Sequence, residues 1–294
     1  MDDLAVVTGA NAGLGIETTR ALAARGTTVL MACRNQDKAA AARAALIAEG
    51  VDPDLLQLAT LDLADQSSVA AFADQVIAEH GRLGLLVNNA GLMAVAQSTT
   101  ADGFETQFGV NHLGHMALTL RLLPLLTATP AARVVTVTSM GHRPGRIRLA
   151  DPNFERGRYG RWRAYFQSKL ANLLFTAELG RRLAADGHDT LSVAAHPGYA
   201  ATELGKDEPR FVATATAVLD RFVAQSAAAG AQPTLRAITD PDAFQGALYG
   251  PHRRYFGRPV LERPSRTARD PLLAAKLWDL SLELLAPMKV FMPS

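Results

Sequence analysis

Tyr165 and Lys169 stand four residues apart in a stretch whose apolar spacing predicts a helix, so their side chains share one face. A free phenol has a pKa of about 10, too high for easy proton exchange at neutral pH. An ammonium beside it favours the phenolate and pulls that pKa toward the range in which a general acid/base works best. Further up the chain, Arg133–Ser139 reads as a strand ending in Thr138-Ser139, where a hydroxyl can hold a substrate oxygen. Together these residues suit proton transfer to or from an oxygen, with Tyr165 as donor or acceptor. Tyr-x-x-x-Lys is common by chance, so its weight depends on its surroundings.

Those surroundings begin at Thr8-Gly9-Ala10-Asn11-Ala12-Gly13-Leu14-Gly15, which follows an apolar strand and opens a helix. The G-x-x-x-G-x-G spacing is wider at its start than the usual dinucleotide fingerprint, but the mechanics are shared. Gly9 permits the tight turn, Gly13 lets backbone approach a pyrophosphate, and Gly15 lets helix and strand pack closely. The helix N-terminus offers N–H groups and a positive dipole end to the phosphates. Asn11 and Leu14 fall within the same cofactor-binding loop. A merely structural turn is the alternative, and the strand–turn–helix context favours a cofactor.

The end of the second strand then bears on which cofactor. It reads Ala32-Cys33-Arg34-Asn35, with no carboxylate until Asp37. A carboxylate there would take the ribose hydroxyls and favour NAD, whereas the Arg34 guanidinium can clamp a 2′-phosphate. The expectation is NADP(H), against a solvated surface arginine. Asp62-Leu63 is placed to receive the adenine amino group, although Asp62 could equally cap the helix expected near Ser67. The small residues of Asn89-Ala90-Gly91 would let backbone lie against a ribose, and a plain turn would use the same residues. With a nicotinamide bound, its oxidised ring would join Lys169 in favouring the phenolate, and Lys169 could also anchor the nicotinamide ribose.

These residues need a scaffold. Short apolar runs at Leu4–Thr8, Thr28–Ala32, Leu55–Leu61, Leu83–Asn88, Arg133–Ser139 and Thr190–Ala195 alternate with helical stretches near Leu14–Arg25, Asp37–Ala48, Ser67–His80, Phe104–Leu126 and Trp162–Ala185. Alternation of this length predicts an α/β, doubly wound parallel sheet of Rossmann type, and continuous apolar runs fit strands buried on both faces. Residues 197–245 are Ala-, Gly- and Pro-rich and helical with little strand character, a short apolar-aromatic segment follows at Ala247–Tyr249, and an amphipathic helix runs near Leu272–Leu285. One domain is expected, with 1–196 as cofactor-binding and catalytic core and 197–294 as substrate-side lid and C-terminal helices.

Composition narrows the class. The 294 residues are 48% hydrophobic and 20% charged, with 30 basic against 28 acidic side chains, so nucleic acid is not an expected partner. Cys33 is the only cysteine, which excludes an intrachain disulfide and multi-thiolate zinc, and fits a reducing cytoplasm. The N-terminus lacks the basic region of a signal peptide, and no apolar run reaches membrane-spanning length. A cytoplasmic protein without a membrane anchor is expected, as a homo-oligomer of two or four subunits.

In this order the motifs resemble the short-chain dehydrogenase/reductase family over residues 4–205. They are Thr8-Gly9-x-x-x-Gly13-x-Gly15, Asn88-Asn89-Ala90-Gly91, Asn111, Ser139, Tyr165-x-x-x-Lys169 and Pro197-Gly198. The resemblance implies a catalytic tetrad in which Asn111 joins Ser139, Tyr165 and Lys169 and holds a water linking Lys169 to solvent. It also implies that Pro197, Gly198 and Thr202 contact the nicotinamide end. Ala32-Cys33-Arg34, Asn111-His112-Leu113-Gly114-His115, Ser168-Lys169-Leu170-Ala171-Asn172 and Tyr249-Gly250-Pro251 are similar to the retinol dehydrogenase and WW-domain oxidoreductase branch. That branch implies NADP(H) and an apolar small-molecule substrate carrying a carbonyl or alcohol. Two rivals are a catalytically idle nucleotide-binding sensor, which should have lost Tyr165 or Lys169, and an NAD-dependent epimerase or dehydratase, against which Arg34 counts.

Other features carry less. The Arg- and Gly-rich stretch 141–160 reads equally as a wall of the substrate pocket or a solvated excursion. Met93, Met140, Phe154 and Tyr199 are pocket candidates, although such side chains are more often core. His112 and His115 lack a third ligand, so helix packing is expected rather than metal. Pro209–Gln232 could form a helix over the site, and the terminal helix should pack on the body or a second subunit.

Overall fold

A computed structural model describes residues 4–198 and 226–288. Eight strands form one sheet in the order β3-β2-β1-β4-β5-β6-β7-β8. They are β1 Leu4–Thr8, β2 Thr28–Cys33, β3 Leu56–Thr60, β4 Leu85–Asn88, β5 Arg133–Val137, β6 Leu191–Ala195, β7 Leu248–Pro251 and β8 Pro259–Glu262. All pair in parallel except β7 with β8.

The inner strands β1, β2, β4, β5 and β6 are mostly apolar and buried because helices cover both faces of the sheet there. Along β1 the side chains alternate: Val6 joins one core with Leu30, Leu86, Val134 and Ala194, while Ala5 and Val7 join the other with Val29, Met31, Leu85 and Val135. On the first face lie α3 (Gln66–Glu79), α5 (His115–Ala128), α6 (Arg161–Ala185) and α8 (Pro271–Leu285). The second face is covered by α1 (Gly13–Ala23), α2 (Gln36–Ala48) and α7 (Ala227–Thr239). The sheet reverses its winding between β1 and β4, which opens a crevice at the carboxyl ends of the strands.

Helix starts follow the expected chemistry. Asn35 caps α2 by accepting the Lys38 N–H at 2.8 Å, Asp65 caps α3, and Asp270 caps α8 ahead of Pro271. Each such cap is worth about 1 kcal/mol. Asp62 therefore does not cap α3.

Three expectations need correction. The helix read over Phe104–Leu126 is composite: a single turn α4 (Thr106–Phe108), a π-helical stretch Gly109–Gly114, and then α5. Its buried glycines allow close approach, since a Cβ on Gly109 would meet Thr100 and one on Gly114 would meet the Leu63 carbonyl. The strand read to Ser139 ends at Val137, and Ser139 opens a short 3₁₀ turn, Met140–His142. The segment at Ala247–Tyr249 falls in β7, which extends the parallel sheet from β6, but β8, which returns antiparallel along it, was not expected.

The terminal helix α8 packs on the body as expected. Trp278 is buried, stacks on Phe175 of α6 with centroids 5.9 Å apart, and is covered by the Arg182 guanidinium. Among the described residues, no helix is long and apolar enough to cross a membrane.

Candidate active site

The glycine turn joins β1 to α1. Gly9 and Gly13 adopt φ of +65° and +52°, and a Cβ on Gly15 would overlap the Gly9 carbonyl and press on the Asn89 side chain. Ala12 occupies the N-cap of α1 and offers no side-chain cap, unlike the residues before α2, α3, α7 and α8. The Gly15 N–H turns back onto the Ala12 carbonyl at 3.1 Å, and the Gly13 and Leu14 N–H groups have no partner among the described residues, the arrangement on which an anion can dock. Leu14 is buried in that turn and Asn11 half-buried.

Thr8 ties this turn to the end of β4. Its hydroxyl accepts the N–H groups of Asn89 and Ala90, each at 2.9 Å, and its carbonyl accepts the Asn89 side-chain amide at 2.8 Å. His115 lies 2.9 Å from the same hydroxyl through Nε2, while its Nδ1 donates to the Asn111 carbonyl at 3.1 Å. With Nδ1 as donor, a neutral ring must accept the Thr8 O–H at Nε2. Burial lowers the His115 pKa to about 4, which keeps that ring neutral. Sequence reasoning gave Thr8 and His115 no such role; their spacing of 107 residues is visible only in the fold.

Asn111 sits inside the π-helical stretch, a departure from α geometry often found at functional sites. Its side chain is fully engaged: the amide donates to the Leu92 carbonyl and to Ser168 Oγ, and its oxygen accepts the Leu92 N–H at 2.7 Å. Gly91 lies beside it, and a Cβ there would come within 3.3 Å of both Asn111 Oδ1 and Lys169 Nζ. Any bridging water must therefore use the Asn111 carbonyl rather than its amide.

Tyr165 and Lys169 project from the first turns of α6 toward the end of β5. Tyr165 is buried and faces Ser139, whose hydroxyl accepts the Gly141 N–H at 3.0 Å. Lys169 is also buried, donates to the Val137 carbonyl at 3.3 Å, and stands 5.9 Å from the Tyr165 ring centroid. Burial lowers its pKa to about 8. The Tyr165 phenol moves the other way: burial raises its pKa and outweighs the influence of Ser139. This corrects the expectation of an already lowered phenol, because taking a charge out of water costs more here than Ser139 returns.

The remaining expected residues fall around this centre. Arg34 is exposed just past β2 and has no hydrogen-bond or ion-pair partner among the described residues. Asp62 turns one carboxylate oxygen onto the Ala64 N–H at 2.9 Å, and Leu63 is buried. Pro197 and Gly198 follow β6 directly, whereas Thr202 and Tyr199 lie outside the described residues, as does most of Pro209–Gln232. Cys33 is buried behind the glycine turn against the Ala10 and Asn11 N–H groups, and burial raises its pKa to about 11.

The stretch 141–160 is no solvated excursion. Tyr159 donates to Glu105 at 2.9 Å and accepts from Gln107 at 3.0 Å, while Asn153 accepts the Glu105 N–H at 3.0 Å. Gln167 of α6 clasps it with two further bonds, to the Arg148 N–H and the Pro152 carbonyl. Phe154 is buried inside this stretch under the Arg148 guanidinium, so it is core and not pocket lining. Met93 and Met140 remain half-buried. Trp162, which sequence reasoning passed over, is 43% exposed, with its ring edge-on to Tyr165 at 6.0 Å. Its position three residues before Tyr165 was the available signal.

His112 packs between Phe108 and Phe175 and pairs with Ser281 of α8 at 2.9 Å. No cluster suited to holding a metal occurs among the described residues. Burial holds His112 at about 3 and both His115 and His142 at about 4. All three values lie below that of an unfolded histidine, so this stability is complete above pH 6.5 and drains away as pH falls toward 4. Each histidine should cost about 2 kcal/mol at pH 5. Thermal midpoints should fall steeply between pH 6.5 and 4.5; a flat profile there would contradict the burial assigned to these rings.

A short chain dehydrogenase family profile matches residues 3–212. Retinol dehydrogenase 12 from Homo sapiens is 41% identical over 280 residues, covering 95% of this chain and 85% of that protein. Retinol dehydrogenase 11 from Mus musculus is 40% identical over 285 residues, covering 96% and 86%. Among solved structures, an uncharacterised protein from Mycobacterium Paratuberculosis superposes with a TM-score of 0.82 at 45% identity, over 100% of this chain and 96% of that one.

Proposed function

Since the chain belongs to the short chain dehydrogenase family and is an oxidoreductase by that membership, we propose that it interconverts a carbonyl and an alcohol on an apolar small molecule with NADP(H). The observation that carries this reading is buried Tyr165 facing Ser139 with buried Lys169 one helical turn on, at the strand ends beside an uncapped α1. The residues present fit a dinucleotide: a glycine turn that admits no Cβ at Gly15, and orphan N–H groups at a helix start. Gly9, Asn11, Gly13, Leu14 and Gly15 would hold the pyrophosphate, and Arg34 the 2′-phosphate. Asp62 and Leu63 would meet the adenine, Asn89, Ala90 and Gly91 the ribose, and Pro197 and Gly198 the nicotinamide end. The bound nicotinamide supplies or accepts the hydride.

The chain's own residues handle the proton. Ser139 Oγ holds the substrate oxygen, and Tyr165 Oη gives it a proton in reduction or takes one in oxidation. Lys169 stabilises the phenolate that results, and its pKa of about 8 lets it pass a proton onward near neutral pH. An Asn111 oxygen would seat a water on that path. Half-buried Met93 and Met140 and partly exposed Trp162 would supply apolar surface to the substrate, which suits the substrates named for the retinol dehydrogenases. NADPH should bind at least about tenfold tighter than NADH, a difference of about 1.4 kcal/mol, in a nicotinamide fluorescence titration. Equal affinities would remove the role given to Arg34. A panel of apolar aldehydes, ketones and alcohols, followed by NADPH absorbance, then identifies the substrate class.

A further inference from the structure

Glu262, at the end of β8, lies beneath two turns of the site. Its Oε1 is 3.2 Å from His196 Nε2, and its Oε2 is 3.6 Å from an Arg143 guanidinium nitrogen. The His196 ring is fully buried, and its Nδ1 accepts the Gly198 N–H at 3.1 Å. That acceptor role assigns the ring proton to Nε2, the atom facing Glu262. Neither His196 Nε2 nor Glu262 Oε1 makes a well-aligned hydrogen bond among the described residues, so each has only the other's charge or dipole facing it across 3.2 Å. On the other side, Arg143 closes the turn that Ser139 opens, and His142 of that turn donates to the Ser139 carbonyl at 2.7 Å.

The identity of Gly250 follows from the same arrangement. It lies on β7 between β6 and β8, and a Cβ there would overlap both His196 Nε2 and Glu262 Oε1. Burial pushes the Glu262 carboxyl up, but His196 and Arg143 outweigh it and hold the group below the usual range. The carboxylate therefore stays ionised between its two partners.

We propose that Glu262 is a positioning residue: one carboxylate braces the Ser139 turn through Arg143 and the Pro197-Gly198 turn through His196, and so fixes the spacing between the proton-transferring hydroxyls and the nicotinamide end. This rests on the cofactor reading above. Its partners are 66 and 119 residues earlier in the chain, so no local motif announces it.

Glu262→Gln keeps the size and removes the charge. Binding of NADPH and of 2′,5′-ADP, which lacks the nicotinamide half, should be titrated alongside turnover. NADPH should bind about tenfold more weakly and kcat fall about tenfold, as expected when a partly buried charge contact is lost, while 2′,5′-ADP stays within about twofold. Glu262→Asp should recover part of both. Unchanged NADPH affinity and turnover would overturn the brace, and so would equal weakening of NADPH and 2′,5′-ADP, which marks a global effect.

Should Glu262→Gln not fold, Arg143→Gln carries the test. It alters a side chain that is one-third exposed, and should lower kcat about threefold with NADPH affinity unchanged. No change in kcat would overturn the Ser139 arm of the brace. Wild-type protein that binds NADH but not 2′,5′-ADP would instead overturn the NADP(H) reading. The brace is then judged by the same ratio with NADH and ADP.

Discussion

Tyr165→Phe should lower turnover about a thousandfold while leaving NADPH affinity within about twofold, because only the proton-carrying oxygen is removed. The ring stays packed against Trp162 and Phe166, so the start of α6 and the placement of Lys169 are preserved. Ser139 loses a partner but keeps its turn through the Gly141 N–H. The pH profile sharpens the test. Burial holds the phenol protonated in the cofactor-free protein, so reduction should persist to lower pH than oxidation, whose rate should rise with pH as the phenolate becomes accessible. Residual turnover within about tenfold of wild type would mean that another group moves the proton, with buried Lys169 as the next to test.

Arg34→Glu should weaken NADPH by about a hundredfold, roughly 3 kcal/mol, and improve NADH severalfold. The guanidinium is exposed just past β2 and has no partner among the described residues, so its replacement disturbs no internal contact. The effect combines a lost charge-assisted hydrogen bond with repulsion between a new carboxylate and the 2′-phosphate. A carboxylate at this position can also take the ribose hydroxyls of NADH. Thermal stability should not change. Competition titrations with 2′,5′-ADP and ADP report the same swap without turnover; unaltered preference would show that a different side chain reads the phosphate.

Much of this was readable from residue order because the physics involved is local. Val6-Val7 and Leu85-Leu86-Val87 declare doubly buried strands by being continuous, and Tyr165 and Lys169 declare a shared helix face by their spacing. Boundaries failed where no local rule operates. The π-helical stretch at Gly109–Gly114 adds a turn that hydrophobic periodicity does not register. The strand β8 opens with Pro259, runs along a sheet edge and leaves Leu261 half exposed, so it lacks the alternation that marks a half-buried strand. Stretch 141–160 left two readings open because its anchors, Glu105 and Gln107, come about fifty residues earlier. The Tyr165 phenol was read from the charges of Lys169 and a bound nicotinamide, whereas in the cofactor-free chain burial decides its direction.

The position of β1 has a consequence for the order of synthesis. It is the first strand to be made, yet it occupies the middle of the sheet with β2 on one side and β4 on the other. On a growing chain it can pair with β2 early, but its second edge stays open until Leu85–Asn88 has been made. Its second-face cover waits longer still, because α1 packs against α7 from the last quarter of the chain. An apolar strand with an open edge invites pairing with other chains, so the nascent N-terminal part of this protein is a natural client for chaperones.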